Sequence, residues 1–159
     1  MSASPKPPPC KTLAIAIREA QSDDDLAAAG RIYERSGRHA FTWRPHEYFQ
    51  ANLLPALSKD ETIWIAWYGE TPVGFLSLYR EGHFVHSLYV DPEAQGLGVG
   101  RALVSYVRAL VGRPLTLKLD APNMAAIAFY EATGWTRLDG PEDSGFDEAG
   151  VRWLRYRLD

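Results

Sequence analysis

Residues 87–103 read SLYVDPEAQGLGVGRAL, and the fold turns on this stretch. Its first four residues complete HFVHSLYV at 83–90, a β-rich run that Asp91-Pro92 brings to a stop. Gln95-Gly96-Leu97-Gly98-Val99-Gly100-Arg101 follows, and Val99, Leu103, Tyr106, Val107 and Leu110 then recur at helical spacing as far as Gly112. Strand, glycine turn and helix in that order place free backbone N–H groups and the positive end of a helix dipole where a ligand can come close, which makes the turn a candidate phosphate site. It lacks the G-x-G-x-x-G spacing of a dinucleotide fingerprint and the Lys-Ser/Thr pair of a P-loop, so both of those readings fail.

Downstream, LTLKLD at 115–120 reads as the next strand. A strand–helix–strand unit demands a right-handed crossover, so 83–90 and 115–120 should lie parallel. Ala125, Ala128, Phe129 and Ala132 suggest a helical stripe closed by Gly134, and after a loop at 139–150 VRWLRYRL alternates Leu154, Tyr156 and Leu158 with arginines as a last strand. Upstream, IWIAWY at 63–68 and VGFLSLY at 73–79 form hairpins with 83–90, and their near-continuous apolar character predicts cover on both faces. TLAIAI at 12–17 suits a first strand. Ser22 with Asp25 reads as a capping box opening a helix with Leu26, Ala29 and Tyr33 on one face and its stop at Gly37. Pro45 opens a second helical stretch with Phe49, Leu53 and Leu57 on one stripe, which Pro55 would kink or shorten. The expectation is an α/β fold with a mixed, mostly antiparallel twisted sheet and helices on both faces. A proline-rich tail at 1–11 would precede one domain over 12–159.

The chain has 159 residues, with 17 Lys+Arg against 20 Asp+Glu and a formal charge of −3. No global basic field is present to attract nucleic acid. No run approaches the roughly 18 apolar residues of a membrane span, so no membrane role is expected. The single cysteine, Cys10, has no disulfide partner, which fits a reducing, cytoplasmic setting. His39 and His46 lack ligand spacing, and no metal is expected.

The turn fits Q/R-x-x-G-x-G/A, and together with Asn123 and AFYEATGW at 128–135 it resembles the GCN5-related N-acetyltransferase (GNAT) superfamily over nearly all of residues 12–159. The resemblance implies that strands 83–90 and 115–120 splay apart at one end to admit acetyl coenzyme A. Backbone groups around Leu88 and Val90 would pair with the pantetheine arm and the oxyanion. The turn from Gln95 through Gly96, Gly98, Gly100 and Arg101 would hold the pyrophosphate, Asn123 would bond the pantetheine or nearby backbone, and Tyr130 would protonate the departing thiolate. A phenol with a reference pKa near 10 is able to donate at neutral pH.

Amine acetylation also needs a base, since an ammonium has no lone pair. Glu81, His83 and His86 lie on or beside the strand flanking the acyl group, and water competes with them. His86 is the first choice, and alternation places it with Phe84, Leu88 and Val90 on one face. The family resemblance puts the amine acceptor near Phe41, Trp43, Arg44, Tyr48, Asp147 and Glu148. The leading reading is direct acetyl transfer from acetyl-CoA to a primary amine of a small molecule or peptide. The alternative is a non-catalytic coenzyme A-binding or sensing module, which a self-plugged acceptor cleft would favour. Formation of a homodimer is left open.

Overall fold

In the computed structural model, which describes residues 14–81, 83–112 and 114–159, the deciding stretch folds as strand, turn and helix. The chain runs β1 (Ile15–Glu19), α1 (Asp23–Ala40), two 3-10 turns and a single helical turn α2 (Leu54–Leu57), then β2 (Thr62–Tyr68), β3 (Thr71–Tyr79) and β4 (Phe84–Val90). It continues through α3 (Val99–Val111), β5 (Leu115–Asp120), α4 (Met124–Ala132), β6 (Thr136–Arg137), β7 (Ser144–Phe146) and β8 (Arg152–Leu158). One eight-stranded sheet has the order β1-β2-β3-β4-β5-β8-β6, with β7 also on β8. Every pairing is antiparallel except β4 with β5, so the expected mixed sheet is observed.

Both faces are covered, as the apolar runs of β2 and β3 require. Ile63, Ile65, Trp67 and Phe75 meet Ala28, Ala29, Ile32 and Tyr33 of α1, while Trp64, Ala66, Leu76 and Leu78 share the other core with Val99, Leu103 and Val107 of α3. Packing of α3 is close enough that a Cβ on Gly74 would lie 2.7 Å from Val99 Cγ1.

Several local expectations are corrected. The first strand starts at Ile15, and Thr12, Leu13 and the proline-rich 1–11 lie outside the described residues. Ser22 Oγ accepts from Asp25 N–H at 3.1 Å as expected, but Gly37 does not end α1, which continues to Ala40. Gly37 serves packing instead: a Cβ there would sit 2.1 Å from the buried Phe49 ring. The stretch from Pro45 is not one helix but two 3-10 turns and α2, leaving Leu53 and Leu57 exposed. In α4 Phe129 of the expected stripe packs, together with Ala126, Ile127 and Tyr130, whereas Ala128 and Ala132 are exposed and Ala125 lies on the cavity. The small alanines misplaced the rest of the stripe. The loop at 139–150 contains β7, held on β8 by Ser144↔Leu154 and its neighbours.

Candidate active site

The site begins where β4 and β5 part. They pair only at Phe84↔Thr116 and Val85↔Leu117, although β4 runs on to Val90 and β5 to Asp120. The cause lies on the other edge of β4: Ser77 pairs with Ser87 but Leu78 with Val85, so His86 is an extra, bulged residue. A bulge bends its strand and increases local twist, which turns β4 away from β5. It also shifts the side-chain parity, so strict alternation fails here. Val85 packs in the same core as Leu88 and Val90, and His86 remains beside Phe84, their rings 6.4 Å apart.

The parted strands open a cavity of about 560 Å³ that runs from Arg44 and Tyr48 past His86 to the glycine turn, with Asn123, Phe129 and Tyr130 on its far wall. Leu88, Val90, Gln95, Gly96, Gly98, Gly100 and Arg101 all line it. The cavity extends as far as Phe41, Arg44 and Tyr48, where the sequence placed the acceptor.

At the turn, Gly96 (φ +83°) and Gly98 (φ +77°) are left-handed, and a Cβ on either would meet nothing within 4 Å. Glycine is required there by backbone conformation and not by crowding. Gly98 caps α3 without a side-chain hydrogen bond, so the first N–H groups of the helix stay open to an anion. Gly100 is different, because its Cβ would come 3.2 Å from Phe129 Cζ. Gln95 Nε2 donates to Val90 O at 3.2 Å, tying the turn to the strand end, and Arg101 is exposed in the first turn of α3.

Asn123 caps α4, its Oδ1 accepting from Ala126 N–H at 3.1 Å. Tyr130 is 8% exposed and packs edge-on against Phe129 and Trp135. Burial alone pushes its phenol above the ordinary value, so it stays protonated at neutral pH.

His86 Nδ1 lies 2.5 Å from Glu61 Oε1. The hydrogen bond to Glu61 raises the imidazole above its usual pKa, against the opposing effect of desolvation. The two competing base candidates are elsewhere. Among the described residues, His83 has its Nδ1 buried without a partner in the β3–β4 turn, and Glu81 accepts from the exposed Tyr79 hydroxyl at 2.8 Å. Neither lines the cavity.

At the opposite end of the cavity from the glycine turn, Arg44 grips Asp120 with Nε at 2.7 Å and a second nitrogen at 3.0 Å, and reaches Asp147 at 2.7 Å. Trp43 Nε1 donates to Asp120 at 2.9 Å. These bonds raise the Arg44 pKa and, with backbone N–H groups, lower that of Asp147. The clamp therefore joins residues 41–50 to the end of β5 and to the β7–β8 loop. Phe41, Arg44 and Tyr48 line the cavity, while Trp43 and Asp147 support it from behind. Glu61 and Asp120 were not singled out from sequence, since each acts through a partner far along the chain. The only signal for Asp120 was its place at the end of LTLKLD.

Residues 16–135 match the acetyltransferase (GNAT) family. The chain belongs to that family. GNAT membership makes it an N-acetyltransferase that draws its acetyl group from acetyl-CoA. Among curated GNAT relatives, the peptidyl-lysine N-acetyltransferase YiaC of Escherichia coli is 37% identical over 131 residues, 77% of this chain and 84% of that one. The E. coli peptidyl-lysine N-acetyltransferase YjaB is 28% identical over 128 residues, 77% and 83% of the two chains. The solution structure of apo YjaB superposes with a TM-score of 0.72 over 91% of this chain and 97% of YjaB, at 25% identity. A CoA complex of a Thermoplasma acidophilum N-acetyltransferase shares the fold at 17% identity and a TM-score of 0.69, over 89% of this chain and 98% of that one. Among the described residues, no three His, Cys, Asp or Glu side chains gather as a metal site, and no helix is long and apolar enough to cross a membrane.

Proposed function

We propose that this GNAT chain acetylates a primary amine of the peptide-lysine type, with His86 as base and Tyr130 as acid. The observation that carries the reading is the single cavity joining the uncapped glycine turn, the parted strands, His86 and Tyr130. The acceptor class is supported by YiaC and YjaB, both named for peptidyl-lysine and both matched over most of this chain.

In this reading the N–H groups from Gly96 to Arg101 bind the pyrophosphate of acetyl-CoA, with glycine at 96 and 98 allowing the approach. Asn123 orders the start of α4 beside the pantetheine. The edge of β4 freed from β5, around Leu88 and Val90, offers backbone groups to the pantetheine and to the charge that develops on the thioester oxygen. His86 takes one proton from the acceptor ammonium, which frees the lone pair that forms the C–N bond. As the C–S bond breaks, Tyr130 donates its proton to the sulfur, and the second amine proton returns to Tyr130 through solvent. The products are an amide and a thiol, with no acyl group on the protein.

The test is thiol release and peptide mass. Purified protein with acetyl-CoA and lysine-bearing peptides should release thiol and add one acetyl group to the lysine side chain. Peptides whose lysines are dimethylated should give neither. Tight acetyl-CoA binding without release for any primary amine would refute the proposal and favour a coenzyme-binding module.

A further inference from the structure

We infer that Glu61 is a positioning residue for the transfer, holding the His86 imidazole with Nδ1–H toward the protein and Nε2 toward the acceptor amine. The inference rests on reading His86 as the base and adds a residue from outside the glycine turn and α4.

Three observations carry it. First, Glu61 Oε1 stands 2.5 Å from His86 Nδ1. Second, the Glu61 side chain is only 9% exposed against 43% for His86, and its Oε2 is buried with no partner among the described residues. A carboxylate kept from water with one oxygen unused is costly, and its neighbours do not repay that cost with a network of bonds. His86 is its counterpart. Third, Glu61 has a firm mount. Its N–H donates to Ser58 O at 3.0 Å, and the buried Ser58 hydroxyl donates to Leu54 O at 2.7 Å, which fixes the carboxylate just ahead of β2.

The imidazole needs such a partner. His86 is the bulged residue of β4, with the Phe84 ring as its aromatic neighbour, a partly exposed side chain and a place in the cavity lining. Of the other charged groups on the cavity, Arg44 is engaged with Asp120 and Asp147, Lys118 holds its ammonium 4.1 Å above the Trp153 ring, and Arg101 is exposed at the start of α3. Tyr33 donates to Tyr48 O at 2.9 Å, and Tyr130 is neutral. Among the described residues, it is the hydrogen bond and charge of Glu61 that raise the His86 imidazole, against desolvation. Fixing Nδ1–H on Glu61 leaves Nε2 with the lone pair that accepts the ammonium proton.

The experiment compares Glu61→Gln, Glu61→Asp and His86→Gln with wild type in the intact protein. It measures kcat against pH with a lysine peptide, acetyl-CoA affinity by calorimetry, and the His86 imidazole titration by NMR without ligand. Glu61→Gln is expected to lower kcat about ten- to hundredfold, to move both the acid limb and the imidazole titration to lower pH, and to leave acetyl-CoA affinity unchanged. Glu61→Asp, which keeps the charge on a shorter arm, should recover part of the rate. Wild-type kcat and acid limb in Glu61→Gln, with His86→Gln inactive, would overturn the positioning role and leave His86 as base. A rate loss in which neither limb nor titration moves would also overturn it, as would an active His86→Gln with an unshifted limb, which removes the base reading itself.

Discussion

Replacing Tyr130 by Phe removes one oxygen and nothing else of consequence. The ring keeps its edge contacts with Phe129 and Trp135 at centroid distances of 5.2 and 5.3 Å, and no charge or hydrogen bond contributes to the phenol's raised pKa. Among the described residues no hydrogen-bond partner is therefore stranded, and stability should change by no more than about 0.5 kcal/mol. The kinetic effect is of a different size. A positioned general acid contributes roughly 10²–10⁴ in rate, or about 2.7–5.4 kcal/mol of barrier. A thiol with a pKa near 8.5 leaves tolerably well unaided, so the lower end applies, and kcat should fall about a hundredfold. Because the proton moves only as the C–S bond breaks, acetyl-CoA affinity should stay within about twofold. Thiol release at saturating acetyl-CoA and peptide measures the first quantity, and calorimetry the second. A thioester of a more acidic thiol should narrow the gap between variant and wild type, since less assistance is needed. An unchanged kcat, or a loss confined to coenzyme affinity, would refute the role of Tyr130 as acid.

Gly98→Ala forces an L-residue to φ +77° at about 1–2 kcal/mol. Relief by rotating the peptide would misdirect the N–H groups of the turn, so calorimetry should show acetyl-CoA affinity falling about tenfold or more. Gly37→Ala reverses the usual sign for a helix interior: alanine gains about 1 kcal/mol in propensity, but its Cβ would meet the Phe49 ring at 2.1 Å, an overpacking cost of about 2–3 kcal/mol. Urea unfolding should show a net loss, and a gain would contradict the packing. Arg44→Met strands Asp120 and should cost roughly 2–3 kcal/mol at neutral pH. Because Arg44 lowers the folded-state pKa of Asp147, its stabilising contribution is present above the ordinary carboxylate pKa and fades as pH falls through the folded value. The deficit of the variant in urea melts should therefore shrink in acid, and a constant deficit would contradict the ion-pair reading.

Sequence patterns revealed the layers and the coenzyme end of the site more fully than the chemistry at its centre. Alternation in β8, the apolar runs of β2 and β3 and the stripe of α3 are periodic signals, and each led to an observed element. The glycine turn was legible because φ > 0 leaves a mark in residue type. By contrast, the bulge at His86 has no such mark. It arises from how Ser77 and Leu78 pair across the hairpin, and it broke the alternation that put His86 on one face with Leu88 and Val90. Glu61 and Asp120 escaped notice for a related reason, since a carboxylate ahead of a strand or at its end is ordinary until a distant His86 or Arg44 arrives. Gly37 misled in the opposite way: a residue type that often ends helices was there to make room for Phe49.

Among the described residues two rungs join β4 to β5, so the sheet consists of a β1–β4 half and a β5–β8 half that meet along a short seam. In the proposed reading, an acyl donor seated between the parted strands would take the place of the missing rungs and act as a part of the architecture. Binding should draw the two halves into one mechanical unit, with the Arg44 clamp bracing the opposite side of the opening. Loss of the donor would leave the seam as the line along which the molecule first opens. On that reading, the rigidity of the sheet would follow the supply of the cosubstrate.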